Sequence, residues 1–403
     1  MNRKSNTGWT RRQFLHTAGA AGVGAVIGGD RSTQAAEEEP VRVPRRPFGR
    51  SEKMVSILSL GGMFDIPNNQ LLMRQAHRWG VTYWDTADCY GRGRSEEGIG
   101  KYFSKFPEHR ADVFLVTKSD DRDPEGMSRL LERSLRRMNT DFIDLYFVHG
   151  VRNVRREIDD ETRRWAEKAK SEGKIRLFGF STHSNMESCL AEAAGMGWID
   201  GIMMTYNYRL MHETAMAEAV QACTEAGIGL TAMKTQGGGP VTTESESELE
   251  MAGRFVKKGF TDRQARLKAV WEDRRIASIC SQMPNMTILM ANVAAAVDRT
   301  SLSMEDRRLL QRHARETASG YCSGCSDICE SAVAGRVPIG DILRYVMYYH
   351  EYREPELARS LYRQLPEAVR YRIRNGDFTR AENRCPRSLR IGAILHEADR
   401  LLS

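Results

Sequence analysis

Four residues in the first 150 positions have side chains that together can move a proton. Asp85 and Tyr90 lie in "YWDTADCYGRG", Lys118 follows "VFLVT", and His149 follows "IDLYFV". Hydride addition to a carbonyl group leaves an alkoxide, and a tyrosine hydroxyl can supply the proton that the alkoxide needs. A neighbouring lysine cation favours the phenolate, an aspartate can hold that lysine, and a histidine can donate a hydrogen bond to the carbonyl oxygen.

These four residues follow strand-like segments. The arrangement of those strands in the fold therefore decides whether the four side chains can come together. Strand-like and helix-like segments alternate from "MVSILSLGG" to "ASICSQMP", giving eight strand–helix units in roughly 250 residues. This pattern predicts a (β/α)8 barrel, in which strand ends converge at one face. A doubly wound sheet is disfavoured because no G-x-G-x-x-G follows the first strand. A structural salt bridge beside a buried histidine is the alternative explanation, and the convergence of all four groups argues against it.

Several stretches of the chain resemble the aldo/keto reductase superfamily over about residues 45–317. The stretches are "DTADCYGRGRSE", "VTKS", "LERSLRRMNTDFIDLYFVHG" and "GFSTHS". The resemblance implies a (β/α)8 barrel and a catalytic tetrad of Asp85, Tyr90, Lys118 and His149, with Tyr90 as the proton donor. It also implies a small carbonyl or alcohol substrate and a nicotinamide dinucleotide, usually NADPH, bound without a Rossmann motif.

The resemblance further implies residues that bind the dinucleotide. Ser181 matches the serine of the family's Ser-Asn pair, Thr182 replaces the Asn, and His183 follows. Met203 stands where a glutamine is usual. Asn292 matches the adenine-binding Asn, but alanine replaces the Glu before it, and "QMPNMTILMANV" contains no Lys or Arg. We therefore expect NADP(H) or NAD(H), with weak discrimination for a 2′-phosphate.

Four cysteines in the last quarter of the sequence have a spacing that is typical of a metal centre. Cys322, Cys325 and Cys329 form C-x2-C-x3-C, and Cys385 precedes Pro386. This set predicts one [4Fe–4S] cluster, although the bacterial ferredoxin run is spaced differently. A zinc site fits equally well by count, and two disulfides are the third possibility. The segments "VPIGDILRYVMYYHEY" and "CPRSLRIGAILHEADRLL" resemble the ferredoxin-like tail of a subgroup of aldo/keto reductase-like proteins.

The first segment, "TRRQFLHTAGAAGVGAVIGG", resembles a twin-arginine export signal. Its apolar run is short and glycine-rich, so we expect no permanent membrane span, and a disordered basic tail is the alternative. The formal net charge is +7, of which residues 1–36 contribute +4 through five basic residues and one aspartate. The remaining excess is too small to argue for nucleic-acid binding.

The sequence predicts a signal at residues 1–36, a linker at 37–44, a barrel at 45–318 and a helical cysteine tail at 319–403. The expected protein is an exported, periplasmic or extracytoplasmic oxidoreductase that interconverts a carbonyl and an alcohol. Its expected partners are a small substrate, the twin-arginine export machinery and a redox partner. Two rivals remain: a nicotinamide-independent electron-transfer protein, and a non-catalytic binding scaffold on the same barrel.

Overall fold

The computed structural model describes residues 42–334 and 337–403. The predicted signal and most of the predicted linker therefore lie outside the described residues, and both stay predictions. Within the described ranges, no helix combines the length and the apolar character that crossing a membrane requires.

Eight parallel strands close into a barrel, which confirms the predicted (β/α)8 fold. The strands pair in the order β10–β3–β4–β5–β6–β7–β8–β9, and β10 pairs with β3 to complete the ring. A short antiparallel hairpin of β1 and β2 precedes the barrel. The strands are β1 (Arg45–Pro47), β2 (Met54–Ser56), β3 (Leu58–Gly61), β4 (Tyr83–Asp85), β5 (Phe114–Ser119), β6 (Ile143–Val148), β7 (Ile175–Thr182), β8 (Gly201–Thr205), β9 (Gly229–Met233) and β10 (Ile276–Gln282).

Helices surround the barrel and also build the tail. Those of the barrel region are α1 (Gln70–Arg78), α2 (Arg94–Lys105), α3 (Pro124–Met138), α4 (Val154–Glu157), α5 (Asp160–Ser171), α6 (Met186–Ala194), α7 (Thr214–Glu225), α8 (Glu246–Lys257), α9 (Asp262–Glu272), α10 (Met286–Val297) and α11 (Met304–Glu316). Those of the tail are α12 (Ser326–Glu330), α13 (Ile339–His350), α14 (Pro355–Arg363), α15 (Glu367–Asn375), α16 (Thr379–Arg384) and α17 (Ile391–Leu402). Short 3₁₀ turns occur at Ile66–Asn68, Tyr90–Gly93, Pro107–Ala111 and Ala318–Gly320.

The barrel strands are apolar because side chains on both of their faces are buried. All six residues of β5 and all six of β6 are buried. The interior is filled by large side chains, and Phe48 from the hairpin reaches into it, with its ring centroid 5.3 Å from that of Phe114. Gly179 and Gly201 lie side by side on β7 and β8, where a Cβ at Gly179 would collide with the Gly201 carbonyl. Tight packing therefore fixes the strand ends on which the site is built.

The tail has a hydrophobic core of its own, separate from the barrel core. α13 contributes Ile342, Leu343 and Val346, which are almost fully buried with Ile394 and Leu395 of α17. The first turn of α13 follows the cysteine segment and lies against the carboxyl-terminal ends of the barrel strands, which we call the barrel mouth. The tail is thus a folded unit placed where barrel enzymes carry their chemistry.

Candidate active site

Asp85 and Lys118 form a buried ion pair at the ends of two neighbouring strands. Asp85 ends β4, and Lys118 lies near the end of β5. Lys118 Nζ lies 2.7 Å from both carboxylate oxygens of Asp85 and donates a hydrogen bond to the Thr86 carbonyl oxygen, also at 2.7 Å. Because both side chains are almost fully buried, removing either one would leave an uncompensated charge. The pair holds a cation in one place at the barrel mouth.

The loop that carries Tyr90 is held by an ion-pair network beneath it. Asp88 accepts hydrogen bonds from Arg133 at 2.6 and 2.8 Å and from Arg137 at 2.9 Å. Gly93 follows with φ +94°, and a Cβ there would collide with the Arg137 guanidinium. Asp88 and the glycine therefore position Tyr90 rather than take part in chemistry themselves.

Tyr90 lies between Lys118 and His149, as the tetrad assignment predicts. Lys118 Nζ is 4.9 Å from the centroid of the Tyr90 ring, and the Tyr90 and His149 rings meet edge to face at 5.8 Å. Burial, and next the charge of Asp85, raise the pKa of Tyr90 well above its ordinary value. This differs from the expected lowering by Lys118. Tyr90 is therefore a neutral phenol that carries its proton at ordinary pH.

His149 has a partner that the sequence reasoning missed. Its Nδ1 lies 2.8 Å from Asp120 Oδ1. Burial would raise the pKa of Asp120, but the hydrogen bond and charge of His149 lower it to about 2. An ionised carboxylate can only accept, so Nδ1 carries the proton and Nε2 is left free. Asp120 comes directly after β5, and this strand-end position was the signal that could have found it.

Burial lowers the pKa of His149 below its ordinary value, while the bond to Asp120 opposes the shift. The ring is therefore neutral near pH 7, with Nε2 as an acceptor. Cys89 Sγ lies 3.7 Å from His149 Nδ1, and Cys89 is exposed at the edge of the site. Burial raises the pKa of Cys89, which keeps it a thiol. A neutral imidazole can accept the hydroxyl proton of an alcohol, and only the imidazolium can donate at Nε2 to a carbonyl.

Three of the predicted cofactor-binding residues lie at the end of β7, next to the tetrad strands. Ser181 Oγ accepts a hydrogen bond from the Gly150 amide at 3.1 Å, which leaves its own hydroxyl proton available. Thr182 Oγ1 is buried and donates to the Ser184 carbonyl oxygen at 2.9 Å. His183 Nδ1 lies 3.2 Å from Thr205 Oγ1. Of these groups, Ser181 has the hydroxyl best able to bind a ligand amide.

Asn292, the fourth predicted cofactor residue, lies on α10 above β10, apart from the other three. Its Nδ2 donates to Ser281 Oγ at 3.0 Å. Gln282, at the end of β10, donates to the Met63 carbonyl oxygen at 2.7 Å and reaches Glu354 of the tail at 3.4 Å. A tail carboxylate therefore lies beside the strand end where the resemblance puts the adenosine half of the cofactor.

The tail contacts the loops after four consecutive strands, β6 to β9, and the end of the next strand, β10. The contacts are Arg152 with Glu330 and Asp341 at 2.5 and 3.2 Å, the Asn185 amide with the Gly324 carbonyl at 2.7 Å, Asn207 with the Tyr321 hydroxyl at 3.0 Å, Lys234 with the Tyr348 hydroxyl at 3.1 Å, and Gln282 with Glu354. The tail is thus a wall of the candidate site, not a separate appendage. Sequence reasoning missed Lys234. Its position directly after β9 is similar to that of Lys118, which lies one residue before the end of β5.

The four tail cysteines line one cavity together. Its other lining residues are mainly apolar, such as Ile328 and Leu343, and none of those described is Asp, Glu or His. All eight cysteines of the chain are free, in contrast to the two-disulfide alternative. Burial raises the pKa of Cys322 and of Cys329 to about 12, and neighbouring cysteines add to the shift. Cys322, Cys325, Cys329 and Cys385 therefore border one common space, although Cys385 is far from the other three in the sequence.

Comparison with known proteins agrees with this geometry. The profile of the aldo/keto reductase family matches residues 59–299, which include the whole tetrad and end before the tail. The uncharacterized oxidoreductase YqkF of Bacillus subtilis is 26% identical over 304 residues, 68% of this chain and 97% of the relative. The aldo-keto reductase yakc [NADP(+)] of Schizosaccharomyces pombe is 30% identical over 48% of this chain and 61% of its own length.

The solved structures give the same result for the fold. The holo form of aldo-keto reductase AKR11C1 from Bacillus halodurans superposes with a TM-score of 0.56 at 24% identity, covering 68% of this chain and 97% of that one. About a third of the present chain therefore lies outside that match. Since the family profile spans more than half of the sequence and the strand ends carry the tetrad residues, the chain belongs to the aldo/keto reductase family of oxidoreductases.

Proposed function

We propose that this oxidoreductase interconverts a small carbonyl compound and its alcohol, with Tyr90 as the proton donor. The observation that carries the proposal is the arrangement of Tyr90 between the Lys118–Asp85 ion pair and His149. Four groups with complementary roles converge at one mouth, whereas a non-catalytic scaffold would need none of them.

The proton transfer follows from the state of each side chain. In the reducing direction a hydride adds to the carbonyl carbon, and the resulting alkoxide takes the phenolic proton of Tyr90. The tyrosinate that forms lies beside the Lys118 cation, which stabilises it. In the oxidising direction the tyrosinate takes the hydroxyl proton back. A nicotinamide dinucleotide, when bound, supplies or accepts the hydride.

The residues of the barrel mouth fit such a dinucleotide at one end only. Ser181 retains a hydroxyl proton for the nicotinamide amide, and it lies one strand from His149. At the adenosine end, residues 282–293 contain no Lys or Arg, and Glu354 of the tail adds a negative charge there. No cation in this segment would select a 2′-phosphate, so we expect NADP(H) or NAD(H) with weak discrimination between them.

We also propose that Cys322, Cys325, Cys329 and Cys385 hold one [4Fe–4S] cluster, which can accept or donate one electron. The support is their shared cavity, together with the raised pKa values that a bound cation would reverse. A zinc ion remains the rival occupant. Export by the twin-arginine route is a further part of the proposal and is supported by the "RRQFL" sequence.

One observation favours a second candidate function. The contact between Glu354 and Gln282 places the tail beside the predicted adenosine site. If the tail excludes the dinucleotide, the cluster would be the electron carrier for the barrel. The protein would then exchange electrons with a redox partner and would be independent of nicotinamide.

Purification without oxygen tests these proposals on a single sample. An absorption spectrum and metal analysis come first, followed by titration with NADH and NADPH. About four irons per chain, together with binding of NADH or NADPH, supports the main proposal. Iron without binding of either dinucleotide supports the electron-transfer candidate. Zinc, or no metal, contradicts the cluster and leaves a carbonyl reductase that depends on the tetrad alone.

A further inference from the structure

A small cavity lies between the barrel mouth and the tail, and it borders the cysteine cavity, with which it shares Cys322, Ser323, Gly340 and Leu343. Its polar side chains are those of His183 after β7, Lys234 after β9 and Arg344 of α13, with Thr205 and Ser323 beside them. None of the thirteen described residues that line it is Asp or Glu. Three basic side chains from three separate elements therefore converge on one space whose described lining contains no carboxylate, with the Cys322 thiol beside them.

Lys234 is the central group of this cavity. Its backbone has φ +56°, a left-handed conformation that a non-glycine residue adopts at a cost, and this conformation places the side chain at the mouth. An ammonium has three protons to donate. The only acceptor recorded for Nζ among the described residues is the Tyr348 hydroxyl at 3.1 Å, and no described carboxylate lies within ion-pair distance.

The neighbouring charges do not neutralise Lys234. Arg344 donates to Asp341 at 2.9 Å, and Asp341 also receives Arg152 at 3.2 Å. Arg152 further donates to Glu330 at 2.5 Å. Two arginines and two carboxylates thus balance each other, and Lys234 is left with the Tyr348 phenol as its hydrogen-bond partner. Burial would raise the pKa of this phenol, but the charges of Lys234 and Arg344 lower it.

The pKa shifts of His183 and Lys234, which line the cavity, agree with a local excess of positive charge. Burial, and next the charges of Lys234 and Arg344, lower the pKa of His183 well below its ordinary value. Burial and Arg344 also lower the pKa of Lys234, against the opposing effect of Tyr348. A bound anion would relieve both shifts, because an opposite charge favours the protonated form of each group.

The size and position of the cavity limit what the anion can be. Its volume is about 40 Å³, on a scale where one water molecule needs about 10–15 Å³. This space suits a group of a few atoms, such as a carboxylate. His183 follows β7, which pairs with β6, and His149 follows the end of β6, so the cavity lies beside a strand end that carries a tetrad residue.

We propose that this cavity binds the carboxylate of the substrate, with Lys234 and Arg344 as its cationic partners. The substrate class is then a hydroxy acid and the corresponding oxo acid, with the reacting carbon at Tyr90 and the carboxylate under the tail. This inference rests on the proposed function, whose site it extends. A tail that supplies Arg344 would explain why the barrel mouth is covered next to the tetrad.

Binding calorimetry tests the proposal without any turnover. The probes are pyruvate and its methyl ester, which share the reacting carbonyl group and differ in the charge of the carboxylate. Wild-type protein should bind pyruvate, and Lys234→Met should weaken that binding by about tenfold to a hundredfold, the effect of one charge-assisted hydrogen bond. Lys234→Arg should restore part of the affinity, and exposed Lys53→Met serves as the matched control.

The outcomes separate this proposal from the proposed function. Equal binding of pyruvate and its methyl ester, or unchanged pyruvate binding in folded Lys234→Met, would overturn the carboxylate site while leaving Tyr90 chemistry standing. Binding of ADP that depends on Lys234, with no binding of pyruvate, would assign the cavity to the dinucleotide and also overturn it. Loss of turnover in a Tyr90 variant that still binds pyruvate would support both proposals.

Discussion

Tyr90 is the residue whose hydroxyl the proposed reaction cannot do without. We expect Tyr90→Phe to reduce turnover by about 10²- to 10⁴-fold, because no other group would supply the proton at that position. Tyr83→Phe is the matched control: its hydroxyl bonds Thr231 at 3.0 Å inside the barrel, away from the mouth. Steady-state kinetics and thermal unfolding of both variants check the prediction. Turnover that survives in Tyr90→Phe would remove this mechanism.

Asp120 positions His149. Its replacement should change the pH dependence of carbonyl reduction more than the maximal rate of that reaction. Asp120 opposes the lowering of the His149 pKa by burial, so Asp120→Asn should lower that pKa further. Tyr90 supplies the proton in reduction, and an imidazolium at His149 would assist it by donating a hydrogen bond from Nε2 to the carbonyl oxygen. The pH below which reduction is fast should therefore move to a lower value in the variant, while alcohol oxidation near pH 7 should change little.

Asp121→Asn is the control for this experiment, since the neighbouring carboxylate bonds the exposed Arg129 at 2.7 Å instead. The measurement is kcat/KM for reduction between pH 5 and 8. A profile that is the same in Asp120→Asn and Asp121→Asn would show that Asp120 has no role in the state of His149.

The tetrad could be predicted from the sequence because each residue is close in sequence to a strand end. Asp85, Lys118 and His149 follow apolar runs, and the (β/α)8 pattern brings such positions together. Asp120 and Lys234 obey the same rule but carry no recognisable motif, so only their contacts with His149 and Tyr348 reveal them. The pKa direction of Tyr90 depends on burial, which spacing in a sequence does not report.

At the scale of elements, docking of the tail depends on Arg152. Arg152 bonds both Glu330 and Asp341 with about a third of its side chain exposed. Arg152→Met should weaken docking by about 1–2 kcal/mol, a value reduced from that of a buried pair because solvent screens the charges. Hydrogen exchange of the α13 amides should rise about tenfold. Arg155→Met is the control, since its ion pair with Glu192 is largely exposed; equal exchange in both variants would contradict the prediction.

The cysteine site gives a second prediction at this scale. Cys385 comes from the turn after α16, and the other three cysteines come from the segment around α12, so the proposed cluster would lose its one ligand from outside that segment if Cys385 were removed. Cys385→Ser should lower iron from about four per chain to less than one. Cys223→Ser, at a buried cysteine on α7, should keep its iron. Iron that stays in both variants would show that Cys385 is not a ligand.

The elements themselves were largely predictable, and their docking was not. Short apolar runs such as "IDLYFV" favour strands buried on both faces, and all eight predicted strands are present. The tail contacts join residues such as Arg152 and Asp341 across long stretches of sequence, and neither residue has a local signature. The fold class therefore follows from periodicity, while the covered mouth follows only from tertiary packing.

For the whole molecule, buried histidines predict a loss of stability in acid. Burial, and next Arg266 and Arg209, lower the pKa of His313 to about 4. Between that pH and the ordinary value of about 6.5, the unfolded chain binds a proton that the folded chain does not. The free energy of unfolding should therefore fall as pH drops through this range, by about 2 kcal/mol from this group.

Urea unfolding at pH 7 and pH 4.5 measures this effect. His313→Gln should lose less stability than the wild type between the two pH values, because it lacks the titrating ring that contacts Ser245 and Ser247. His396→Gln, at an exposed position on α17, should behave like the wild type. A His313 variant with the wild-type pH dependence would contradict the assignment.

The closed ring and the tail that lies on it have a consequence for biosynthesis. β10 must pair with β3 before the mouth has its final shape, and those strands are separated by more than 200 residues. The tail contacts the loops after β6 to β9 and the end of β10, so it has no complete docking surface until that closure. Chains fold from the amino terminus as they are made. Each molecule therefore passes through an interval during synthesis in which the tail does not yet cover the barrel mouth. A ligand too large to pass the docked tail can enter the mouth during that interval.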